Sequence, residues 1–361
     1  MTFSPKYTIT KDILADLTKI EAVKNSFEDK PLSPVLLSSL HKTAKIAQSH
    51  YSTQIEGNRL SLKQVETTLY SANKTAKDYQ GHDEKEVKAY YNAINYMEKV
   101  LEDGGEFNEK LVQKIHSLVE NSQKIIPYRN EQNAIYDTSD GSLVYLPPET
   151  KDVPVMMKDL ITWVNENIDK LPTPIVASLF HYQFVTIHPY FDGNGRTARL
   201  MTNYIMRKFG YGLKGIYSLE EYYAKNLKDY YQALATHPHH KYYYGRHEAD
   251  LTSWVEYFIK GVATAFENIN IKAEEQQNVG IKDISPALRK LDIKQRKILE
   301  LFVEFEEITS NQAGEYLNLS SQSARLLLNK WVDVGFLIIA NKARKNRTYG
   351  LSKEYEELLM K

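Results

Sequence analysis

Twelve consecutive residues, His188 to Arg199, read His-Pro-Tyr-Phe-Asp-Gly-Asn-Gly-Arg-Thr-Ala-Arg. They gather a titratable base, a carboxylate, a tight Gly-Asn-Gly turn and two arginines. Gly193 and Gly195 can take positive φ and let a ligand approach the backbone closely. Asn194 tolerates the left-handed region as well. Such a turn aims several N–H groups at one point, where an anion can sit. From Arg196 onward the pattern reads as a helix, whose N-terminus adds partial positive charge at the same point. Arg196 and Arg199 are three residues apart and so share a helix face. Two guanidiniums beside an anion-binding turn suit a chain of phosphates better than a single carboxylate. Asp192 adjoins the turn and can hold a Mg²⁺ that bridges phosphates. His188, one short loop upstream, is a natural general base. The chain contains no Gly-Lys dipeptide, which excludes a Walker A loop.

The dodecapeptide resembles the signature of the Fic family, His-Pro-Phe-x-Asp/Glu-Gly-Asn-Gly-Arg-x-x-Arg, with Tyr190 where the pattern has Phe. That swap keeps the aromatic body and adds a hydroxyl that needs a partner. Upstream, Ser52-Thr53-Gln54-Ile55-Glu56-Gly57-Asn58 reads on its own as a helix end stopped by Gly57 and Asn58, with Glu56 a solvated carboxylate. Ser52-x-x-x-Glu56-Gly57 also resembles the inhibitory motif, Ser/Thr-x-x-x-Glu-Gly/Asn, that many Fic proteins carry. Its position N-terminal to the core implies the self-contained, autoinhibited class. There Glu56 would pair with Arg199 and take the place of a γ-phosphate.

The resemblance further implies a protein adenylyltransferase: AMP moves from ATP, with Mg²⁺, to a Ser, Thr or Tyr hydroxyl of a target protein, itself included. His188 would take the proton of the hydroxyl. Gly193, Asn194 and Gly195 would hold the α-phosphate. Mg²⁺ on Asp192, with Arg196 and Arg199, would stabilise the leaving pyrophosphate. Related Fic sequences have an Asn and tandem tyrosines near the adenine, which points to Asn226, Tyr230 and Tyr231. Three readings compete: another donor on the same scaffold, hydrolytic removal of AMP with Glu56 orienting a water, and a DNA-binding regulator whose core only senses nucleotide.

Which elements would mount these residues? Pro174 to Ile187 is apolar on several sides, as a central buried helix is, and delivers His188 to its loop. Arg196 to Lys208 forms the second central helix, stopped by Gly210 and Gly212. His181, on the first of them, and His116, on a helix capped near Asn108, read as core histidines. Val35 to Gln54 is helical and leads into the Ser52–Glu56 segment. Leu60–Ser71, Asp83–Leu101, Met156–Ile168, Ser218–Leu234 and Trp254–Ile269 are further helices. Ala134 to Tyr136 and Leu143 to Tyr145 flank Thr138-Ser139-Asp140-Gly141 and read as a β-hairpin. Two strands alone are marginal. The Fic resemblance makes this hairpin a flap that pairs with an extended segment of the target. His237-Pro238-His239-His240 reads as a surface loop rather than a metal tract.

After a boundary near Gln276–Gly280, the remainder reads as a separate unit. Ile293–Phe305, a short helix capped at Thr309-Ser310-Asn311, a helix from Ser320-Ser321, and strands Phe336–Ile339 and Thr348–Leu351 resemble a winged helix. Its wing turn carries Lys342, Arg344, Lys345 and Arg347, so nucleic acid and protein are both admissible partners. The expected architecture is therefore mainly α: an N-terminal leader over 1–34, irregular or partly helical, and a Fic-type helical core over 35–275. That core contains the inhibitory segment 52–57 and the flap hairpin 129–148. A small α+β winged-helix domain follows over 285–361.

Composition agrees with a soluble globular protein and excludes some classes. The 361 residues hold 46 basic and 46 acidic side chains, so no global field steers the chain to nucleic acid or anionic membrane. Cysteine is absent, which rules out disulfides and thiolate metal sites and fits a cytoplasmic location. No signal-peptide core or membrane-spanning run is present. The 26 tyrosines are unusually many, and some could line a nucleotide or partner site. A homodimer stays open.

Overall fold

The computed structural model describes residues 2–28, 34–70, 81–137, 140–278, 291–317, 319–341 and 347–359. Two compact units emerge. The first takes Met1–Asp29 and Ala44–Asn270, the second Lys30–Thr43 and Ile271–Lys361. No described helix is long and apolar enough to cross a membrane.

The first unit is helical and built around one pair, α7 (Thr173–Ile187) and α8 (Asn194–Lys208). Every residue of α7 but Val185 is buried, as its all-round apolar sequence requires. The helix starts at Thr173 without a side-chain cap, with Pro174 in its first turn. Around the pair stand α4 (His82–Glu102), α5 (Glu109–Val119) and α6 (Val153–Asn167). Helices α4 and α5 both pack on α8, and α6 packs on α7. Asn108 caps α5, accepting the Leu111 N–H at 2.9 Å. Helix α2 (Pro34–Ile55) ends at Gly57 with φ +99°, followed by α3 (Leu62–Tyr70). Helix α11 (Thr252–Asn278) is tied to α7 near its start, where Trp254 Nε1 donates to the Ser178 carbonyl at 2.8 Å.

The leader, expected to be irregular or partly helical, holds a helix, α1 (Lys11–Glu28), with Ile13, Ile20 and Phe27 buried. One local finding differs from the sequence expectation. The single helix expected over 218–234 is two, α9 (Leu219–Lys225) and α10 (Leu227–Leu234). They break at Asn226, at φ −123° and ψ 41°. The Asn226 side-chain amide donates to the Tyr222 carbonyl at 2.8 Å, beside the residue's own backbone N–H at 3.1 Å.

The hairpin consists of β1 (Ile135–Tyr136) and β2 (Leu143–Tyr145), antiparallel, with Ile135 opposite Tyr145. Thr138 and Ser139 of its turn lie outside the described residues. It is not left to stand on two strands. The Leu146 N–H donates to the His240 carbonyl at 2.7 Å, and the Tyr242 N–H donates to the Leu146 carbonyl at 3.0 Å. The Tyr145 hydroxyl donates to the Thr186 carbonyl at 2.7 Å, tying β2 to the last turn of α7.

The second unit contains α12 (Ile293–Glu304), β3 (Ile308–Thr309), α13 (Ser310–Leu317), α14 (Ser321–Asp333), β4 (Leu337–Asn341), β5 (Thr348–Leu351) and α15 (Lys353–Leu359). Its strands form an antiparallel sheet in the order β3-β5-β4. Ile298, Ala324, Leu328, Trp331, Phe336 and Tyr349 fill its core. Asp292 and Gln295 form a capping box on α12, and Ser320 caps α14. Val279 and Gly280 of the expected boundary, and Lys342, Arg344 and Lys345 of the expected wing, lie outside the described residues.

Candidate active site

The loop between α7 and α8 is held in one shape by its own side chains. His188 ends α7 in the left-handed region (φ 50°, ψ 61°), and Gly193 at φ 68° turns the chain into α8. Asn194 clamps the loop from inside. Its amide nitrogen donates to the Tyr190 carbonyl at 2.9 Å, and its oxygen accepts the Tyr190 N–H at 3.0 Å. The Asn194 side chain is thus committed to the loop, leaving the first N–H groups of α8 as the anion donors. The Tyr190 ring is buried and stacks on His116, with centroids 3.4 Å apart. His116 Nδ1 lies 3.0 Å from Thr197 Oγ1, and burial, reinforced by Arg196, lowers its pKa to about 3. The extra hydroxyl of Tyr190 is buried without a hydrogen-bond partner among the described residues.

His188 Nδ1 lies 3.3 Å from the Val185 carbonyl. A carbonyl can only accept, so the ring proton sits on Nδ1 and Nε2 keeps its lone pair. Desolvation lowers the His188 pKa to about 4, against the opposing pull of the Val185 carbonyl, Glu56 and Asp192. The ring is therefore a neutral base at neutral pH.

The two arginines do different work. Arg199, with 1% of its side chain exposed, pairs with Glu56 at 2.7 Å. Its Nε donates to Ser52 Oγ at 2.9 Å and its Nη2 to the Ser52 carbonyl at 2.8 Å. Burial opposes its charge, but Glu56 and the neighbouring Tyr230 and Tyr90 raise its pKa above the ordinary arginine value. Ser52, on the last turn of α2, and Glu56, one residue past its end, meet it together. A Cβ on Gly195 would lie 2.3 Å from Glu56 Oε1. The carboxylate therefore rests against the first turn of α8, where partial positive charge draws an anion. Arg196 turns elsewhere. It meets Glu86 of α4 at 2.8 Å, Glu120 just beyond α5 at 3.0 Å and Asp192 at 3.3 Å. Glu86 also accepts from the Asn58 amide at 2.7 Å, so the turn after Glu56 is tethered to the Arg196 cluster as well.

These groups open on one cleft of about 860 Å³. His188, Asp192, Gly193, Asn194, Gly195, Arg199 and Glu56 line it, as do Tyr230, Tyr231 and both hairpin strands. Arg196 is not among the lining residues, nor is Asn226, whose amide is spent on Tyr222. The Asp192 side chain is 80% exposed. Among the described residues, no three His, Cys, Asp or Glu groups gather as a metal cluster. His240 of the histidine-rich loop instead holds the hairpin, with Nδ1 2.7 Å from the Val144 carbonyl.

Sequence reasoning missed Arg129, Glu86 and Glu120. Arg129 Nε donates to the His188 carbonyl at 3.0 Å, Nη1 donates to Thr150 Oγ1 at 3.0 Å, and Nη2 reaches the Pro148 carbonyl. One guanidinium thereby fixes the base-bearing residue and the end of the hairpin. The only local signal was its place at the hairpin's border.

Known proteins resemble parts of this chain. Residues 106–206 match the model of the Fic/DOC family. The protein adenylyltransferase Fic of Culex quinquefasciatus is 30% identical over 179 residues, 48% of this chain and 34% of that protein. Its namesake from Drosophila erecta is 30% identical over 189 residues, 50% of this chain and 35% of that protein. The match thus spans only about a third of these relatives' length. A Fic family protein from Desulfovibrio desulfuricans G20 superposes with a TM-score of 0.60 at 21% identity, covering 97% of this chain and 99% of that one. A Fic domain containing signaling protein from Bacteroides thetaiotaomicron VPI-5482 gives 0.60 at 22% identity, over 74% of this chain and 97% of that one. At such identities the structural likeness speaks for the fold alone. The segment 106–206, which carries the His188–Arg199 loop, is thus the part of the chain that resembles the Fic/DOC family.

Proposed function

We propose that this chain is an autoinhibited protein adenylyltransferase, moving AMP from ATP to a Ser, Thr or Tyr hydroxyl of a target protein, itself included. The observation that carries the reading is the Glu56–Arg199 pair at 2.7 Å, set on the first turn of α8 in the cleft that His188 lines. A base, an anion cradle and a buried guanidinium face one space. The anion place is taken by the protein's own carboxylate.

In the active state Glu56 leaves, and the γ-phosphate takes its position on Arg199. The backbone N–H groups of Asn194 and Gly195 hold the α-phosphate oxygens. His188 Nε2 accepts the proton of the target hydroxyl. That oxygen bonds to the α-phosphorus while the bond from it to the bridging oxygen breaks, and pyrophosphate departs toward Arg199. Positioning and electrostatics do most of the work in such transfers. Asp192 fits a Mg²⁺ shared with phosphates, because a single well-exposed carboxylate with phosphate and water oxygens is how that ion is commonly held. A bound Mg²⁺ would supply Lewis-acid charge to the phosphates. The target would reach His188 through the hairpin, where Tyr136 and Val144 stand exposed at the cleft.

The test is transfer from α-labelled and, separately, γ-labelled ATP. Label is expected on protein from the α position alone. Label from the γ position would mean a kinase-like transfer and would remove the reading.

We read the second unit as a winged helix. Two helices joined by a short turn, α13 and α14, precede the antiparallel pair β4–β5, and Arg325 and Lys330 stand exposed on α14. A duplex DNA probe is expected to shift with the full chain at low salt, and much less with Arg325→Ala/Lys330→Ala. Absence of any shift at low salt would remove nucleic acid as its partner.

A further inference from the structure

We infer that Arg129 is a positioning residue for His188: its buried fork locks the base-bearing turn to both ends of the hairpin, so that one side chain sets the base in register with a target segment lying on the hairpin. The inference deepens the adenylyl-transfer reading and rests on it for the reaction.

Three consecutive carbonyls of the turn after α7 accept from one short stretch before β1. The His188 carbonyl takes Arg129 Nε at 3.0 Å. The Pro189 carbonyl takes the Arg129 backbone N–H at 2.9 Å. The Tyr190 carbonyl takes the Asn133 amide at 3.1 Å. The rest of the guanidinium faces the chain that leaves β2. Nη2 donates to the Pro148 carbonyl, and Nη1 to Thr150 Oγ1 at 3.0 Å. Gln132 joins the same two stretches, its amide donating to the Pro147 carbonyl at 3.1 Å. A lysine offers its donors from a single point and could not span acceptors on both sides of a planar fork.

Arg129 is 2% exposed. Its acceptors are neutral oxygens, and burial lowers its pKa below the ordinary arginine value. Burying a charge on neutral partners is a poor way to stabilise a fold. The value of this one lies in what it holds in place. His188 is left-handed, at φ 50° and ψ 61°, a conformation disfavoured for any residue with a Cβ. Such a residue persists where its surroundings over-determine it. Here the His188 N–H donates to the Phe184 carbonyl at 3.0 Å, and Arg129 takes the His188 carbonyl. With both peptide groups fixed, the ring rests with Nδ1 3.3 Å from the Val185 carbonyl. Arg129 does not line the cleft, and its acceptors lie outside residues 193–199. Its loss should therefore displace the base from the hairpin and spare the phosphate cradle.

The experiment uses the full chain in the Glu56→Gly background. Arg129→Lys keeps the charge and loses the fork. Thr150→Val withdraws one acceptor at a half-buried position, a milder change. Three quantities are measured: label transferred from α-labelled ATP to the chain itself, ATP affinity by calorimetry with Mg²⁺, and the nitrogen-15 spectrum of the histidine rings at neutral pH. The His188 signals are those lost in His188→Ala. In Arg129→Lys the rate at saturating ATP should fall about 10²-fold, the cost of misplacing a reacting group by about an ångström. ATP affinity should stay within about twofold of the parent, since no phosphate contact changes. The His188 ring should pass from protonation at Nδ1 to a mixture of both tautomers as its bond to Val185 loosens. Thr150→Val should move rate and ring the same way, the rate by about threefold. ATP affinity that falls as far as the rate would reveal a packing defect and overturn the inference. An unchanged rate and ring spectrum in Arg129→Lys would overturn it too. If Arg129→Lys does not fold, Thr150→Val decides, and no movement there overturns it. A parent that transfers no label overturns the adenylyl-transfer reading; the ring spectrum alone then decides whether Arg129 positions His188, a moved ring supporting it and an unmoved one overturning it.

Discussion

If the proposed function holds, Glu56→Gly is expected to raise AMP transfer by at least about tenfold, equivalent to about 1.4 kcal/mol of barrier, and at the same time to make the nucleotide-free protein less stable. Both effects come from one contact, the 2.7 Å pair with Arg199. Removing the carboxylate frees the first turn of α8 and the guanidinium for phosphates. It also leaves a side chain that is 1% exposed without its counter-charge. Losing one partner of a fully buried pair costs about 3–5 kcal/mol. Glu56 is one-third exposed, and Ser52 still accepts two bonds from Arg199, so about 1–3 kcal/mol is the better expectation. ATP should restore what the substitution removes, because its γ-phosphate supplies the missing anion. A thermal melt with and without ATP therefore checks the same claim as the transfer assay. Unchanged activity together with an unchanged melt would mean that Glu56 does not restrain Arg199.

How much of this was open to reading in the sequence depends on distance along the chain. The His188–Arg199 loop was legible because its groups are neighbours, and local rules about glycine turns and helix N-termini apply to it directly. The helix pair that mounts it was legible from apolar periodicity. The partnership of Glu56 with Arg199 spans 143 residues, and by its own type Glu56 looks like any surface carboxylate. Only the resemblance to an inhibitory motif pointed there. The fate of Arg196 was not legible at all. Spacing put it on one face with Arg199, but residues three apart diverge by about 60° on a helix of 3.6 residues per turn. That angle is enough for Glu86 and Glu120, on two other elements, to draw it away. The same holds for Arg129, whose contacts join three loops. The break at Asn226 was missed for a different reason. An Asn whose side-chain amide bonds the carbonyl four residues back, as Asn226 does to Tyr222, marks a local alternative to helix that apolar periodicity does not register. Strand β3 is two residues long and exists only because β5 is there to pair with it.

His188→Ala should abolish transfer in the Glu56→Gly background, by about 10²–10⁴-fold, while nucleotide affinity stays near that of its parent. In the proposed mechanism the base meets the incoming hydroxyl rather than the phosphates, so its loss belongs to kcat. The pH profile is the sharper part of this prediction. A free histidine changes charge near pH 6.5, and an ordinary base of that kind would halve the rate there. Here desolvation holds His188 down to about 4. A lowered pKa means that the neutral, proton-accepting form persists as the pH falls. The kcat/KM of the Glu56→Gly enzyme should therefore be flat through pH 6.5 and fall only toward pH 4, because that ratio reports the free enzyme. Tris or phosphate at a single pH would hide this, so the profile should be taken in overlapping buffers of constant ionic strength. A midpoint near 6.5 that vanishes with His188→Ala would show a solvated base instead of one desolvated on the cleft floor. Transfer that survives His188→Ala would remove it from the chemistry and leave the anion cradle of α8 to act alone.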